Sequence, residues 1–269
     1  MKKNWTGERL ESFIFSRDAI EHLHRYGLVF NYIENKIVLD IACGEGYGSH
    51  LMSEKAAAVH AVDIDKATVL AAKAKYKKDN LSFMTGNATS IPLASQSVDV
   101  VVSFETIEHH DQHEEMIAEI RRVLKPGGLL IISTPDKLYY SDKRNFNNKF
   151  HVKELYKAEF VDLIIKVFPR MQLLTQKYCN GNSIIQDEIT QEKIQFYTGN
   201  YTKVIKREID PLYLIAIASD VDFELQQTTF FDGSEMINKE LLGGIYASRT
   251  FKVGHFILRP FKIFKKLLR

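Results

Sequence analysis

Residues 38–49 read VLDIACGEGYGS, and no other stretch constrains the chain so tightly. A short apolar run ends in an acid, Asp40, then turns through Gly44, Gly46 and Gly48 before a helix starts. Small residues there let backbone N–H groups approach a ligand closely, next to a helix N-terminus. A Gly-rich turn alone is a weak signal, because glycines also mark plain tight turns. A second acid strengthens it. Asp63 ends the next apolar run, 19 residues after Gly44, where a carboxylate can accept hydrogen bonds from both hydroxyls of a ribose.

The same alternation continues. KIVLDI (36–41), AVHAVDI (58–64), LSFMT (81–85), VDVVVSF (98–104) and LLIIST (129–134) read as strands, the last two apolar enough to be covered on both faces. Helical periods lie between them. Asp65 suits an N-cap for KATVLAAKAKY. Asp111 with Glu114 reads as a capping box before the stripe Met116, Ile117, Ile120, Val123 and Leu124, which Lys125-Pro126-Gly127-Gly128 should end. A helix is expected at about 11–26, ending at Gly27, and another over VKELYKAEFVDLIIKVF. MQLLTQKY (171–178) and PLYLIAIAS (211–219) add two strands. The expectation is an α/β fold: a three-layer, doubly wound sheet of about seven strands. One domain should span 1–219, with a polar insertion at about 180–205 that suits a lid over a substrate pocket; residues 220–269 read as an extension.

Composition excludes more than it assigns. A net charge of +2 makes no case for nucleic acid. Cys43 and Cys179 permit one disulfide, but two cysteines in 269 residues suit a reducing compartment better. No apolar run follows the N-terminal lysines and no run of about 18 apolar residues occurs, so neither a signal peptide nor a membrane span is expected, and a cytoplasmic location is.

The turn itself argues against a dinucleotide. The dinucleotide pattern puts its third glycine three residues after the second; here that position is Ser49, and Gly48 comes one residue early. Asp40 also suits a cofactor with a positive amino-acid end better than a pyrophosphate, since an acid repels phosphate and attracts ammonium, directly or through water.

Taken in order, VLDIACGEGYGS, AVDID, GNATSIPLASQSVDVVVSFETIEHH and EIRRVLKPGGLLIISTP resemble the class I S-adenosylmethionine-dependent methyltransferases, over most of residues 8–219. The resemblance implies a Rossmann-like sheet whose last strand, PLYLIAIAS, is antiparallel. It implies that Asp40, Gly44 and Gly46, with Ala42 in the same turn, lie beside the methionine moiety of S-adenosylmethionine. It gives Asp63 to the ribose, Ile64 to the adenine face, and Asn87 and Ala88 to the adenine edge. The family often has Asp at position 87; Asn87 can still accept from the adenine amino group through its amide oxygen. Phe104 and Glu105 should floor the pocket, and Arg25 and Tyr26, in HLHRYG, should close over the cofactor.

Methyl transfer from a sulfonium is an in-line displacement in which the protein aligns the partners and excludes water. A hydroxyl nucleophile also benefits from a base. His109 and His110 after the fourth strand and His151 before the helix at 153 are the candidates, in loops at the carboxyl ends of strands, and one of His109 or His151 is expected to assist. Neighbours in the run His109, His110, Asp111, His113 lack the spacing of helical ligands, so no metal is expected. Glu105 and Glu108 suit capping or cofactor contacts better than proton transfer.

The flanks suggest the acceptor. ERLESF…HLHRYG, HVKELYKAEFVDLI and the ending SRTFKVGHFILRPFKIFKK resemble methyltransferases of bacterial surface polysaccharide synthesis. That resemblance implies a sugar or glycan acceptor, against a small lipid-like metabolite or a silent cofactor-binding partner of a glycosyltransferase. Nucleic-acid methylation is not expected: FETI stands after VVS where an NPPY-like tetrapeptide would be. From Arg259 onward five basic residues and no acid accompany Phe261, Phe264 and Leu268 on one helical face. This basic amphipathic segment suits an anionic membrane surface, placing the protein at its inner face, or a partner's groove, or packing on its own domain.

Overall fold

The computed structural model describes residues 10–188 and 194–253. In chain order it contains α1 (Arg17–Val29), β1 (Ile37–Ile41), α2 (Tyr47–Met52), β2 (Ala58–Asp63), α3 (Lys66–Lys75), β3 (Leu81–Thr85) and β4 (Val98–Phe104). Next come α4 (His113–Val123), β5 (Leu124–Pro135), α5 (Lys157–Ile165), β6 (Arg170–Cys179), β7 (Asn182–Asp187), β8 (Phe196–Asn200) and β9 (Lys203–Arg207). β10 (Tyr213–Ser219), β11 (Thr229–Asp232) and α6 (Ser234–Ala247) follow.

The sheet has nine strands in the order β11–β7–β6–β10–β5–β4–β1–β2–β3. β1 pairs in parallel with β2 and β4, while β10 runs antiparallel to both β5 and β6. The count exceeds the expected seven because β7 and β11 extend one edge, each antiparallel to its neighbour. The segment expected as an insertion is thus partly sheet. Its periodicity hides this, because β7 is almost entirely buried, polar residues included, and does not alternate. β8 and β9 form a separate hairpin. The basic segment at 255–269 lies outside the described residues.

Apolar layers cover both faces. Val101, Ile117, Ile120 and Phe160 pack in one cluster; Val29, Val38, Met52 and Ile215 pack in the other. Several local expectations shift by a few residues. α1 begins after Ser16, whose side chain accepts from the Ala19 N–H, and it runs through Gly27 because Leu28 and Val29 are buried beyond it. The Asp111 capping box does not form; Gln112 precedes α4 without a side-chain cap. Lys125 to Gly128 belong to β5 as an irregularity opposite Val98–Val100, with Gly127 at φ +75°. α5 starts only at Lys157, after an isolated bridge between Asp136 and Leu155. Asp65 does cap α3, accepting from the N–H groups of Ala67 and Thr68. Cys43 and Cys179 are free thiols. Among the described residues no helix is long and apolar enough to cross a membrane.

Candidate active site

Strand order reverses where β1 lies between β2 and β4, so the chain leaving β1 and the chain leaving β4 diverge around a crevice. A cavity of about 420 Å³ opens there, within the range of small-molecule sites.

Its first wall is the turn after β1. Ala42, Gly44 and Gly46 adopt φ of 60°, 55° and 89°. The Cys43 N–H donates to the Val62 carbonyl, the Gly44 N–H to Asp63 Oδ2 at 2.9 Å, and the Gly46 N–H to the Cys43 carbonyl. These nitrogens are used within the fold, contrary to the expectation that they wrap a ligand. Ala42, Cys43, Gly44 and Glu45 line the cavity; Gly46 does not. A Cβ on Gly46 would stand 2.7 Å from the Phe83 ring, so this glycine serves close packing.

Asp63 is buried at the end of β2. Its two oxygens accept from the N–H groups of Gly44 and Asp65, which fixes the carboxylate at the cavity wall. Ile64 stands beside it, 66% exposed, an apolar surface open to a flat ring. Asn87 and Ala88 complete that side. Asn87 Oδ1 already accepts from Thr89 N and Oγ1, so its amide nitrogen, not its oxygen, is the group left for a ligand.

Phe104 and Glu105 end β4 and line the cavity, Glu105 at φ +52° with the Ser133 hydroxyl donating to its Oε1. Tyr26 packs edge-on against Phe104 at 5.2 Å and also faces the cavity. Arg25 does not. Its guanidinium is buried behind the wall, donating to Gln176 Oε1, lying over the Tyr213 ring and standing 3.9 Å from Glu105. It sets charge from behind; it does not close over a ligand.

Asp40 is also set back. Side chains alternate along β1, and Asp40 points to α2, where Ser49 Oγ donates to Oδ2 at 2.5 Å. Burial pushes its carboxyl up to about 7, with Ser49 opposing and Asp63 adding to the rise. From 3.8 to about 7 the folded protein keeps a proton that the unfolded chain releases, so stability falls as pH rises through that window. Asp40→Asn removes the titration. Urea unfolding should show the variant gaining on the wild type between pH 5 and 8, by about 3 kcal/mol at most. Parallel stability curves for the two proteins would exclude this.

The far end of the cavity collects His109, His151, Glu108, Tyr140, Asn148 and Phe150. His109 and His151, 42 positions apart, meet edge-on with ring centroids 5.2 Å apart. His109 Nδ1 bonds the Phe150 carbonyl at 3.0 Å; His151 Nδ1 bonds Glu154 Oε1 at 2.6 Å. Tyr140 stacks on His151. Burial and the nearby Glu105 push the Glu108 carboxyl well above the usual range. His110 also lines the cavity, with its Nε2 against Met116 Sδ, while His113 is buried and bonds the backbone of His110. Tyr140, Asn148 and Phe150 escaped the sequence reasoning. Their signal is the run LYYSDKRNFNNKFH, dense in aromatic and amide side chains after the carboxyl end of β5.

Five acids line the cavity (Asp18, Glu45, Asp63, Glu105 and Glu108) and no Lys or Arg does, among the described residues. Such walls repel a pyrophosphate and suit a ligand with cationic centres. A crevice where the strand order of an α/β sheet reverses, walled by acids, suits a nucleoside ligand with a cationic end. Residues 39–132 match the family model described as a methyltransferase domain. The chain is 36% identical over 201 residues to a probable S-adenosylmethionine-dependent methyltransferase of Mycolicibacterium smegmatis, covering 68% of this chain and 76% of that one. It is 28% identical over 115 residues to phthiotriol/phenolphthiotriol dimycocerosates methyltransferase 1 of Mycobacterium ulcerans, covering 41% and 42%. A solved Thermotoga maritima protein, described as a SAM-dependent methyltransferase and possible histamine N-methyltransferase, superposes with a TM-score of 0.54 at 17% identity, covering 76% and 90%. The chain belongs to the S-adenosylmethionine-dependent methyltransferases, and S-adenosylmethionine is its cofactor.

Proposed function

We propose that this methyltransferase O-methylates a sugar or glycan-linked hydroxyl, with the cofactor along the β1–β2 side of the cavity and the acceptor at the His109–His151 end. The observation that carries the acceptor class is the lining there. Tyr140, Asn148, Phe150 and the two histidines are polar and aromatic, the surface a sugar ring uses, where a lipid-like metabolite would want an apolar one.

When bound, S-adenosylmethionine supplies a methyl carbon activated by its sulfonium leaving group. Asp63 holds the ribose, Ile64 packs on the adenine, and Asn87 with Ala88 meets its edge. Ala42 and Gly44 border the methionine end, and Tyr26, Phe104 and Glu105 form the floor beneath it. The acid-rich walls favour the cationic reactant over the neutral thioether product. Held there, the cofactor would offer its methyl carbon to the acceptor oxygen, and its sulfur would leave with the electron pair of the broken carbon–sulfur bond. The hydroxyl proton would pass to an imidazole nitrogen of His109 or His151. Substituting either histidine by alanine should lower turnover about a hundredfold or more while cofactor affinity holds within about twofold.

A second reading has one observation behind it. The similar Mycobacterium ulcerans protein is named for phthiotriol/phenolphthiotriol dimycocerosates, not for a glycan. Transfer of labelled methyl to glycans, glycolipids and small apolar metabolites, with and without anionic vesicles, separates the two. Label in the glycan pool supports the proposal, and gain with vesicles supports a peripheral membrane seat. Label only in apolar metabolites overturns the acceptor class. Cofactor uptake without transfer to any acceptor would leave a silent partner of a glycosyltransferase.

A further inference from the structure

We propose that Glu108, His109 and His151 form a binding site for a divalent first-row transition cation at the acceptor end of the cavity. One donor atom from each of the three side chains lies within 4.8 Å of the others. Donors about 2.1 Å from a common ion stand roughly 3 to 4 Å apart, so small side-chain rotations close the set.

Three independent features fit a cation. Glu108 is 1% exposed, and its Oε1 is buried without a hydrogen-bond partner, while Oε2 lies 3.3 Å from Thr134 Oγ1. A buried oxygen left so is uncommon in a folded protein, and a cation on Oε1 satisfies it. Both rings are held from behind. The hydrogen bonds from His109 Nδ1 to a carbonyl and from His151 Nδ1 to a carboxylate put the ring proton on Nδ1 and hold each ring in place, the arrangement that orients metal-binding histidines. Asn148 Nδ2 lies 2.9 Å from His151 Nε2 and must turn aside when an ion binds. No Lys or Arg lines the cavity to compete, among the described residues.

Two imidazoles and a carboxylate suit first-row ions between manganese and zinc better than an all-oxygen cage suits them. An acceptor hydroxyl bound to such an ion loses its proton to water more readily, so with the ion in place the two histidines activate the hydroxyl through the ion and not as bases. This role rests on the methyltransferase reading; the site does not.

Titration of the full chain with MnCl2, followed by the paramagnetic resonance signal of free Mn2+, tests the site. About one Mn2+ per chain should disappear from the free pool. His109→Ala, His151→Ala and Glu108→Gln, checked for folding by circular dichroism, should each weaken uptake at least tenfold; His60→Ala, on β2 and outside the cavity lining, should not. Uptake that survives in the three variants, or none in the wild type, overturns the proposal. S-adenosylhomocysteine calorimetry on the same samples keeps the two ideas apart. Cofactor binding without Mn2+ uptake removes the cation site alone, and Mn2+ uptake without cofactor binding removes the reading of the larger cavity alone.

Discussion

Asp63→Asn should reduce affinity for S-adenosylhomocysteine at least a hundredfold, measured by calorimetry on protein that keeps its native circular dichroism. The expectation follows from what the carboxylate holds. Oδ2 accepts from Gly44 N–H at the turn after β1, and Oδ1 accepts from Asp65 N–H at the start of α3. Both are bonds to a charged acceptor, worth about 1.5–3 kcal/mol each. An asparagine offers one oxygen, so its amide nitrogen must face one of two N–H groups. Either the turn or the α3 start then loses its anchor, and the ribose hydroxyls lose a charged acceptor. A hundredfold loss needs only about 2.7 kcal/mol. Affinity within threefold of the wild type would show that the nucleoside does not bind at Asp63.

The same residue explains which parts of the site are legible in sequence. Asp63, Ile64, Asn87 and Phe104 stand at or just past the ends of apolar runs, and strand ends are local features. Asp65 as the cap of α3 is equally local. What fails is what depends on facing and on distant pairing. Asp40 ends an apolar run as Asp63 does, yet it faces Ser49 and α2 because the residue beyond it, not Asp40, begins the cavity wall. Arg25 and Tyr26 are adjacent on α1, so one turns into the protein behind Tyr213 while the other meets the cavity. Position in a run does not reveal this.

The histidines divide in the same way. His109 follows β4 and its location is readable from the strand before it. Its partner is fixed by the chain between β5 and α5, which folds back until the Phe150 carbonyl meets His109 Nδ1. No spacing rule joins positions 109 and 151, so a search for ligand spacing inside the run 109–113 looks in the wrong place. The extra strands are hidden for a related reason. β7 contains Ser183 and Gln186 as buried polar residues, satisfied in part by bonds such as Gln176 to Ser183 that only the folded sheet supplies.

Gly48→Ala should destabilise the protein by about 3 kcal/mol, and Tyr26→Leu should abolish that cost. The third glycine of the motif reads in sequence as room for a ligand. In the structure a Cβ there would lie 1.9 Å from Tyr26 Cζ and 2.2 Å from its hydroxyl. The ring has nowhere to retreat, since Tyr47 and Phe104 hold it edge-on at 5.7 and 5.2 Å. Overpacking of this kind costs about 1–3 kcal/mol, and an approach this close belongs at the upper end. Tyr26→Leu removes the ring atoms that collide but keeps an apolar side chain. In that background alanine brings only its better helix propensity over glycine, up to about 1 kcal/mol in favour. Urea unfolding of the four proteins should therefore give a coupling of about 3 to 4 kcal/mol between positions 26 and 48. Because Tyr26 also faces the cavity, the single Gly48→Ala variant should lose cofactor affinity as its ring is pushed toward the ligand. Additive stabilities, with Gly48→Ala equally harmful in both backgrounds, would return this glycine to the ligand and separate α1 from the cofactor site.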